Sequence, residues 1–314
     1  MQKIFIKLLK KLRQRYTQKH GVPQHYSPYK EIDPNIISSR IREILSSSAP
    51  CMFSRFGSVE IGCVINYLGI FHQKREIIKY IRGEAFPWWW EKDTIDAMRN
   101  NAGFFSATPD QLKRFSEMMI EDMPLIDILA SWRYEEQYFS NELQNAYKID
   151  FEPFNPFWSD IPWTAALEKQ KVLVVHPFAE TIQKQYLRKE FIHKDSRILP
   201  DFDLQTIKAV QSLGGQSPFN TWFDALEYMK DEIDKRDYDI ALIGCGAYGF
   251  PLAAHVKRTG KKAVHLGGAL QLLFGIKGKR WINPYYGKVF LPFLKENYYN
   301  LSLIHISEPT RLLS

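Results

Sequence analysis

An α/β protein is predicted, with a Rossmann-like parallel sheet carrying helices on both faces and a helical elaboration in the N-terminal half. Three observations predict it. Short continuous apolar runs recur over 171–176, 238–243 and 262–266, the pattern of strands buried on both faces. Each run alternates with a stretch of helical periodicity, as strand-helix-strand units require. A glycine-rich turn, Gly244-Cys-Gly-Ala-Tyr-Gly249, follows the middle run and opens one of those stretches.

Residues 1–20 read as a basic amphipathic helix. Ile4, Phe5, Leu8, Leu9 and Leu12 recur at helical spacing while lysines fill the other positions. That pattern suits a helix lying on an anionic membrane as well as one packed on the body by its apolar stripe. A helix over 36–45, a strand over 51–56 stopped by Gly57 and a helix about 60–68 open an N-terminal α/β part spanning 36–165. Residues 88–147 read as mostly helical, with a helix over 111–119 started by Thr108-Pro109-Asp110. Between 151 and 163, prolines alternate with Phe151, Phe154, Phe157, Trp158 and Trp163, which marks a wrapped boundary loop and not a solvated linker. A C-terminal nucleotide-binding part over 166–300 holds the three strands and helices expected over 179–191, 204–212, 221–235 and 251–258. In the third of these, Trp222, Leu226, Met229 and Ile233 form the buried stripe, and Thr221 with Asp224 sets a capping box.

Composition bounds the function. Of 314 residues 45% are hydrophobic and 25% charged, a balance that excludes disorder as the default. The formal net charge of +7 is matched by Lys3, Lys7, Lys10, Lys11, Arg13, Arg15 and Lys19 alone, in a segment without Asp or Glu. The rest is near neutral, so no nucleic-acid surface is expected across the fold. Cys51, Cys63 and Cys245 offer neither a disulfide framework nor zinc spacing, which points to a reducing compartment. No cleavable signal is read in the lysine-interrupted N-terminus, so a cytoplasmic location is expected, peripheral on the inner face of the cell membrane if residues 1–15 meet lipid. At the other end, residues 301–311 read LSLIHISEPTR and resemble the translation of a transposase-type sequencing adapter. Residues 301–314, His305 among them, are therefore set aside, and a native C-terminus is expected to be missing.

Chemistry-bearing residues collect where strands end. Gly244, Gly246 and Gly249 fit G-x-G-x-x-G, whose backbone N–H groups and following helix can face a phosphate; close strand-helix packing is the plainer alternative. The acidic residue that a dinucleotide site places about twenty positions on is absent. His265 precedes Gly267 and Gly268 at the next strand end, and His176 ends the first strand of this part. Either ring suits phosphate binding or proton transfer, or is a satisfied core histidine. Lys279 and Arg280, in the stretch from Gly275 to Trp281, suit a diphosphate or a solvated turn. In the first half Arg55 leaves a strand, Gly57 permits a sharp turn, Ser58 follows, and Glu60 falls in the first turn of a helix. A carboxylate is favoured there by the helix dipole alone; as a site residue it takes a metal, a sugar hydroxyl or a proton. Trp88-Trp-Trp90 suits sugar stacking or core packing.

Arg55-Phe-Gly-Ser-Val-Glu60 is similar to the R-[FY]-G-D-x-E segment of the bacterial GT-D glycosyltransferase fold family, and the array from Ile240 to Gly268 is similar to that family's C-terminal half. The second half also resembles proteins encoded with capsule and surface-polysaccharide genes. The resemblance implies sugar transfer from a nucleoside-diphosphate donor, a UDP-sugar favoured, to a surface glycan or lipid-linked acceptor. It implies Arg55, Gly57, Ser58 and the glycines at the donor, with Glu60 as metal ligand or base and Mn²⁺ or Mg²⁺ as cofactor. Ser58 departs from the pattern, standing where the family has its first acidic residue, which puts metal dependence in question. Two other classes stay open: an NAD-dependent oxidoreductase, and a non-catalytic membrane-associated assembly factor.

Overall fold

The computed structural model describes residues 2–21, 30–212 and 217–278. Strands β1 (Cys51–Ser54), β2 (Ile128–Ser131), β3 (Tyr147–Asp150), β4 (Lys171–His176), β5 (Asp203–Lys208), β6 (Ile240–Ile243) and β7 (Lys262–His265) form one sheet in the order β3-β2-β1-β7-β6-β4-β5. Every pairing is parallel. The central β1–β7 pairing sets Phe53 beside Val264 and joins strands from the two halves of the chain in one sheet.

The pleat sends alternate residues to opposite cores, which is why the central strands read as continuous apolar runs. Met52, Leu129, Leu173, Val175 and Ile243 face one core, covered by α3 (Ser58–Phe71), α5 (Lys92–Asn100), α6 (Pro109–Asp122), α8 (Trp222–Asp234) and α9 (Gly249–Arg258). Phe53, Ala130, Val174, Leu242 and Val264 face the other, covered by α2 (Pro34–Ser46), α7 (Ala179–Tyr186) and α10 (Leu270–Leu273). Residues 151–163 wrap this second face, with Phe154 and Trp163 fully buried and Trp163 Nε1 donating to the Phe154 carbonyl at 2.9 Å. Helix starts follow local chemistry. Asp33 accepts from the N–H groups of Asn35 and Ile36 with Pro34 in the first turn of α2, Thr108 accepts from Gln111 N–H before α6, and Thr221 with Asp224 closes the capping box of α8.

Four expectations need correction. Residues 204–212 are not a helix: β5 runs along β4, with Ile207 beside Val175. The spacing of Leu204, Ile207 and Val210 imitates a helix, and the long pairing with β4 overrides that local signal. Within 88–147 the helical reading holds for α5 and α6 and fails at β2 and at the start of β3, each only four residues long. Helix α7 ends at Tyr186, not 191, and α9 begins at Gly249, ahead of Pro251.

Helix α1 (Gln2–His20) divides its apolar stripe. Leu9 is buried against Tyr80 of α4 (Ile77–Arg82), Ala85, Trp88 and Trp89. Lys10 pairs with Glu91, and Arg13 donates to the Ala85 carbonyl at 3.0 Å while its guanidinium lies 4.7 Å over the Tyr80 ring. Ile4, Phe5, Leu8 and Leu12 stay exposed. Trp88 and Trp89 thus serve as packing for α1, and Trp90 lies against the first core. No helix among the described residues is long and apolar enough to cross a membrane.

Candidate functional site

Adjacent strands whose chains leave for opposite faces open a crevice at the carboxyl edge of a parallel sheet. This fold has two. Strand β1 leads into α3 on the first face while β7 leads into α10 on the second, and β6 leads into α9 on the first face while β4 leads into α7 on the second. The described residues among those predicted for the site follow these four central strands, so the fold gathers them along one edge.

The β1–β7 crevice is bordered by the turn before α3 and by the Gly267 turn after β7. Gly57 caps α3 without a side chain, Ser58 is exposed in its first turn, and the half-buried Glu60 turns its carboxylate back over Gly57. A methyl on Gly57 would stand 1.9 Å from Glu60 Oε2, so glycine is needed for that return. Across the crevice, Gly267 has a left-handed φ of 58°. A side chain there would meet the Arg55 guanidinium at 3.0–3.2 Å. Arg55 therefore reaches from the end of β1 across the mouth of β7. Its guanidinium lies 5.0 Å from the Phe151 ring centre and 5.7 Å from that of Trp132, and the two rings sit 5.1 Å apart. A cation stacked on aromatic faces keeps its charge and its planar fork of donors in a fixed place.

Trp132 and Phe151 are the residues that sequence reasoning missed as parts of the site. They leave β2 and β3, next to β1 in the sheet. Trp132 is held by its Nε1–H donating to the Phe56 carbonyl at 2.8 Å. Its backbone N–H and that of Arg133 donate to the fully buried Glu136, which also receives the Ser131 hydroxyl. Burial pushes the Glu136 carboxyl above its ordinary range, against these donors. Arg133 is spent on the buried Glu135, which its Nε meets at 3.0 Å.

The two histidines stand behind the edge, not on it. His265 is 5% exposed, its Nδ1 3.0 Å from Ser54 Oγ, and its Nε2 would lie 2.3 Å from a methyl on Gly249. Desolvation, with Arg55 adding to it, depresses the ring to about 3. It is neutral at physiological pH and walled in, which suits a supporting role and not proton exchange with a substrate. His176 is 3% exposed, and its Nδ1 accepts the Phe178 N–H at 3.0 Å. Glu180 lies on the surface, paired with Lys208 at 2.9 Å.

In the β6–β4 crevice the glycine motif is closed by its own packing. A methyl on Gly244 would lie 2.5 Å from the Gly267 carbonyl and 3.0 Å from His176 Cδ2. Gly244 N–H donates to Val175 and Ala247 N–H to Ala102. Gly246 takes a left-handed φ of 63°, and Gly249 begins a helix whose first turn is buried under His265. The glycines here allow close approach of neighbouring turns, while Ser58 in the first turn of α3 is exposed and Gly268 in the next turn is half-buried. Lys279 and Arg280 lie outside the described residues, as does 301–314; Lys277, two positions before Lys279, is 5% exposed with its ammonium depressed by burial.

Metal fit is weak. Glu60 contributes one carboxylate and Ser58 a neutral oxygen, and among the described residues no three of His, Cys, Asp and Glu come together as a metal site. Divalent Mg²⁺ or Mn²⁺ bound by so few oxygens depends on ligands from elsewhere.

The state of His265 has a consequence for stability. The unfolded ring takes a proton near 6.5 and the folded one only near 3, so its contribution, complete above 6.5, is lost as pH falls through that window. Going from about pH 7 to about pH 5 should remove about 2 kcal/mol through this ring. Asp122 works oppositely. Burial, outweighing Arg258, raises its carboxyl to about 6, so the folded state gains a proton and stability as pH falls. Urea unfolding across this range should therefore show a steeper acid loss in Asp122→Asn than in the wild-type chain, and a shallower one in His265→Gln. Equal slopes in all three would contradict the assignment of these two groups.

Comparison of the chain with protein-family models, with curated proteins and with solved structures gave no match in any of the three.

Proposed function

We propose that the β1–β7 crevice binds the diphosphate of a nucleotide sugar, a uridine nucleotide favoured, and that the protein transfers the sugar to a surface glycan or lipid-linked acceptor. One observation carries the reading: Arg55, set against the Trp132 and Phe151 rings, faces the Gly267 turn beside the open first turn of α3, which bears Glu60. A fixed guanidinium, a helix N-terminus and a carboxylate at one sheet edge are the groups that diphosphate departure and proton removal require.

In this reading the bond from the anomeric carbon to the diphosphate oxygen breaks, and its electron pair leaves with the diphosphate. Arg55 and the N–H groups of Ser58 and Gly268 receive that charge. The acceptor hydroxyl oxygen bonds to the carbon, and its proton goes to the Glu60 carboxylate. His265 and Ser54 hold Arg55's surroundings, and His176 supports the Gly244 turn. Mn²⁺ or Mg²⁺ would add charge neutralisation, held by Glu60 and the donor's oxygens.

A thermal-shift series of the purified chain with UDP, GDP, CMP and NAD, each with and without Mn²⁺, tests the proposal. UDP at a hundredfold excess over its Kd should raise Tm by on the order of 5 °C. Donor hydrolysis that Glu60→Gln abolishes, with the UDP shift retained, is the expected catalytic result. A shift with NAD alone would favour an oxidoreductase, and binding without hydrolysis a non-catalytic assembly factor. Either would overturn transfer as the function.

A further inference from the structure

We infer that α1 and the adjoining α4 form a docking face for anionic lipid bilayers, which places the β2 side of the sheet edge at the membrane surface. The amphipathic pattern of α1 fits either lipid or the protein body, and the structure divides it. Leu9, Lys10 and Arg13 clamp one side of the helix to Tyr80, Glu91 and Ala85. A second side carries Ile4, Phe5, Leu8 and Leu12 into solvent, Ile4 at 74% exposure. The exposed Lys7 and Lys11 border that side, and the exposed Arg15 lies along it beyond Leu8. On α4, against which α1 packs, Ile77 and Ile78 are also exposed, and the exposed Lys74 and Arg75 precede them.

Exposed aliphatic and aromatic side chains flanked by unpaired-sign charge match a bilayer interface, where apolar groups enter the acyl boundary and lysines meet lipid phosphates. The charge picks the occupant. A second copy of this chain would set the same basic side chains against each other. Position adds a reason for the face to exist. Ala85, which accepts from Arg13, is followed by Phe86, whose ring lies 4.8 Å from that of Tyr138. Tyr138 belongs to the short helical segment Tyr134–Phe139 that follows Trp132 and Arg133 at the exit of β2, so the docked helix borders the candidate site. Delivery of a lipid-linked acceptor there rests on the transferase reading; bilayer binding itself does not.

The test is flotation of the purified chain with vesicles of phosphatidylcholine alone and of phosphatidylcholine with phosphatidylglycerol, without nucleotide. Partition is expected on the anionic vesicles only, weakening with added salt. Phe5→Ser with Leu8→Ser, and Lys7→Glu with Lys11→Glu, should each lower it roughly tenfold or more. Ile77→Ser with Ile78→Ser should lower it several-fold. All six positions are exposed, so unchanged Tm values would show that folding is intact. Binding that survives either apolar pair overturns the two-helix face. A lipid-free dimer abolished by Phe5→Ser with Leu8→Ser would overturn it in favour of self-association. Vesicle binding can fail while UDP still shifts Tm, and the reverse, so this inference and the transferase reading are separable.

Discussion

Replacing Arg55 by alanine is expected to lower donor turnover, as kcat/KM, by roughly 10²–10³-fold, the range for losing one preorganised donor to developing charge. Donor affinity should fall by about 10–100-fold, because a charge-assisted contact to phosphate contributes about 1.5–3 kcal/mol. Arg55→Lys should recover only part of either loss. Lysine keeps the charge but neither the planar fork nor the stacking on Phe151 and Trp132 that aims it. Calorimetric titration with UDP and steady-state kinetics on the same preparations separate binding from turnover. Arg55 also depresses His265, so His265 in Arg55→Ala should take up its proton at higher pH than in the wild type, visible as a shifted imidazole resonance. UDP binding unchanged in Arg55→Ala would remove the crevice from the donor site.

The same experiments bear on the metal. The family that the Arg55–Glu60 segment resembles has an acidic residue where this chain has Ser58, and among the described residues no three of His, Cys, Asp and Glu come together as a metal site. In the proposed transfer, charge neutralisation then falls mainly to Arg55 and backbone N–H groups. Arg55→Ala should therefore become more dependent on added Mn²⁺ than the wild type.

What the sequence made legible follows from burial. Strands β4, β6 and β7 lie between two helical layers, so both faces are apolar and each reads as an unbroken run. Strand β2, Ile-Leu-Ala-Ser, is equally buried but has four residues between helices, too few to carry a period. Strand β5 is an edge strand with only Ile207 buried, and its identity comes from β4, a partner 32 residues away that local periodicity does not contain. The site divides the same way. Arg55, Gly57 and Glu60 belong to one strand-turn-helix unit and could be read in place. Trp132 and Phe151 join Arg55 only because β2 and β3 stack outward from β1, a fact of topology. The histidines were legible as strand ends, whereas the depth of their rings depends on glycines from neighbouring turns closing over them.

Those turns give the largest expected effect on folding. Gly244→Ala should destabilise the protein by about 3 kcal/mol, at the upper end for an added methylene in a packed core. The new methyl would lie 2.5 Å from the Gly267 carbonyl and 3.0 Å from both His176 Cδ2 and Leu270 Cβ. None of these is the free end of a flexible chain. The turn cannot slide away, because Gly244 N–H donates to Val175 on one side and Leu266 N–H to Ile243 on the other. What can yield is Gly267, already left-handed and in contact with Arg55, so strain at Gly244 is transmitted to the guanidinium. Gly62→Ala in α3 is the matched control: its methyl meets nothing within 4 Å, and the better helix propensity should stabilise by up to about 1 kcal/mol. Urea unfolding should give opposite signs for these chemically identical changes, and UDP binding should weaken in Gly244→Ala alone. Equal stability in the two variants would mean that the β6 and β7 turns do not interlock, and Arg55 would lose the support on which its role in the site depends.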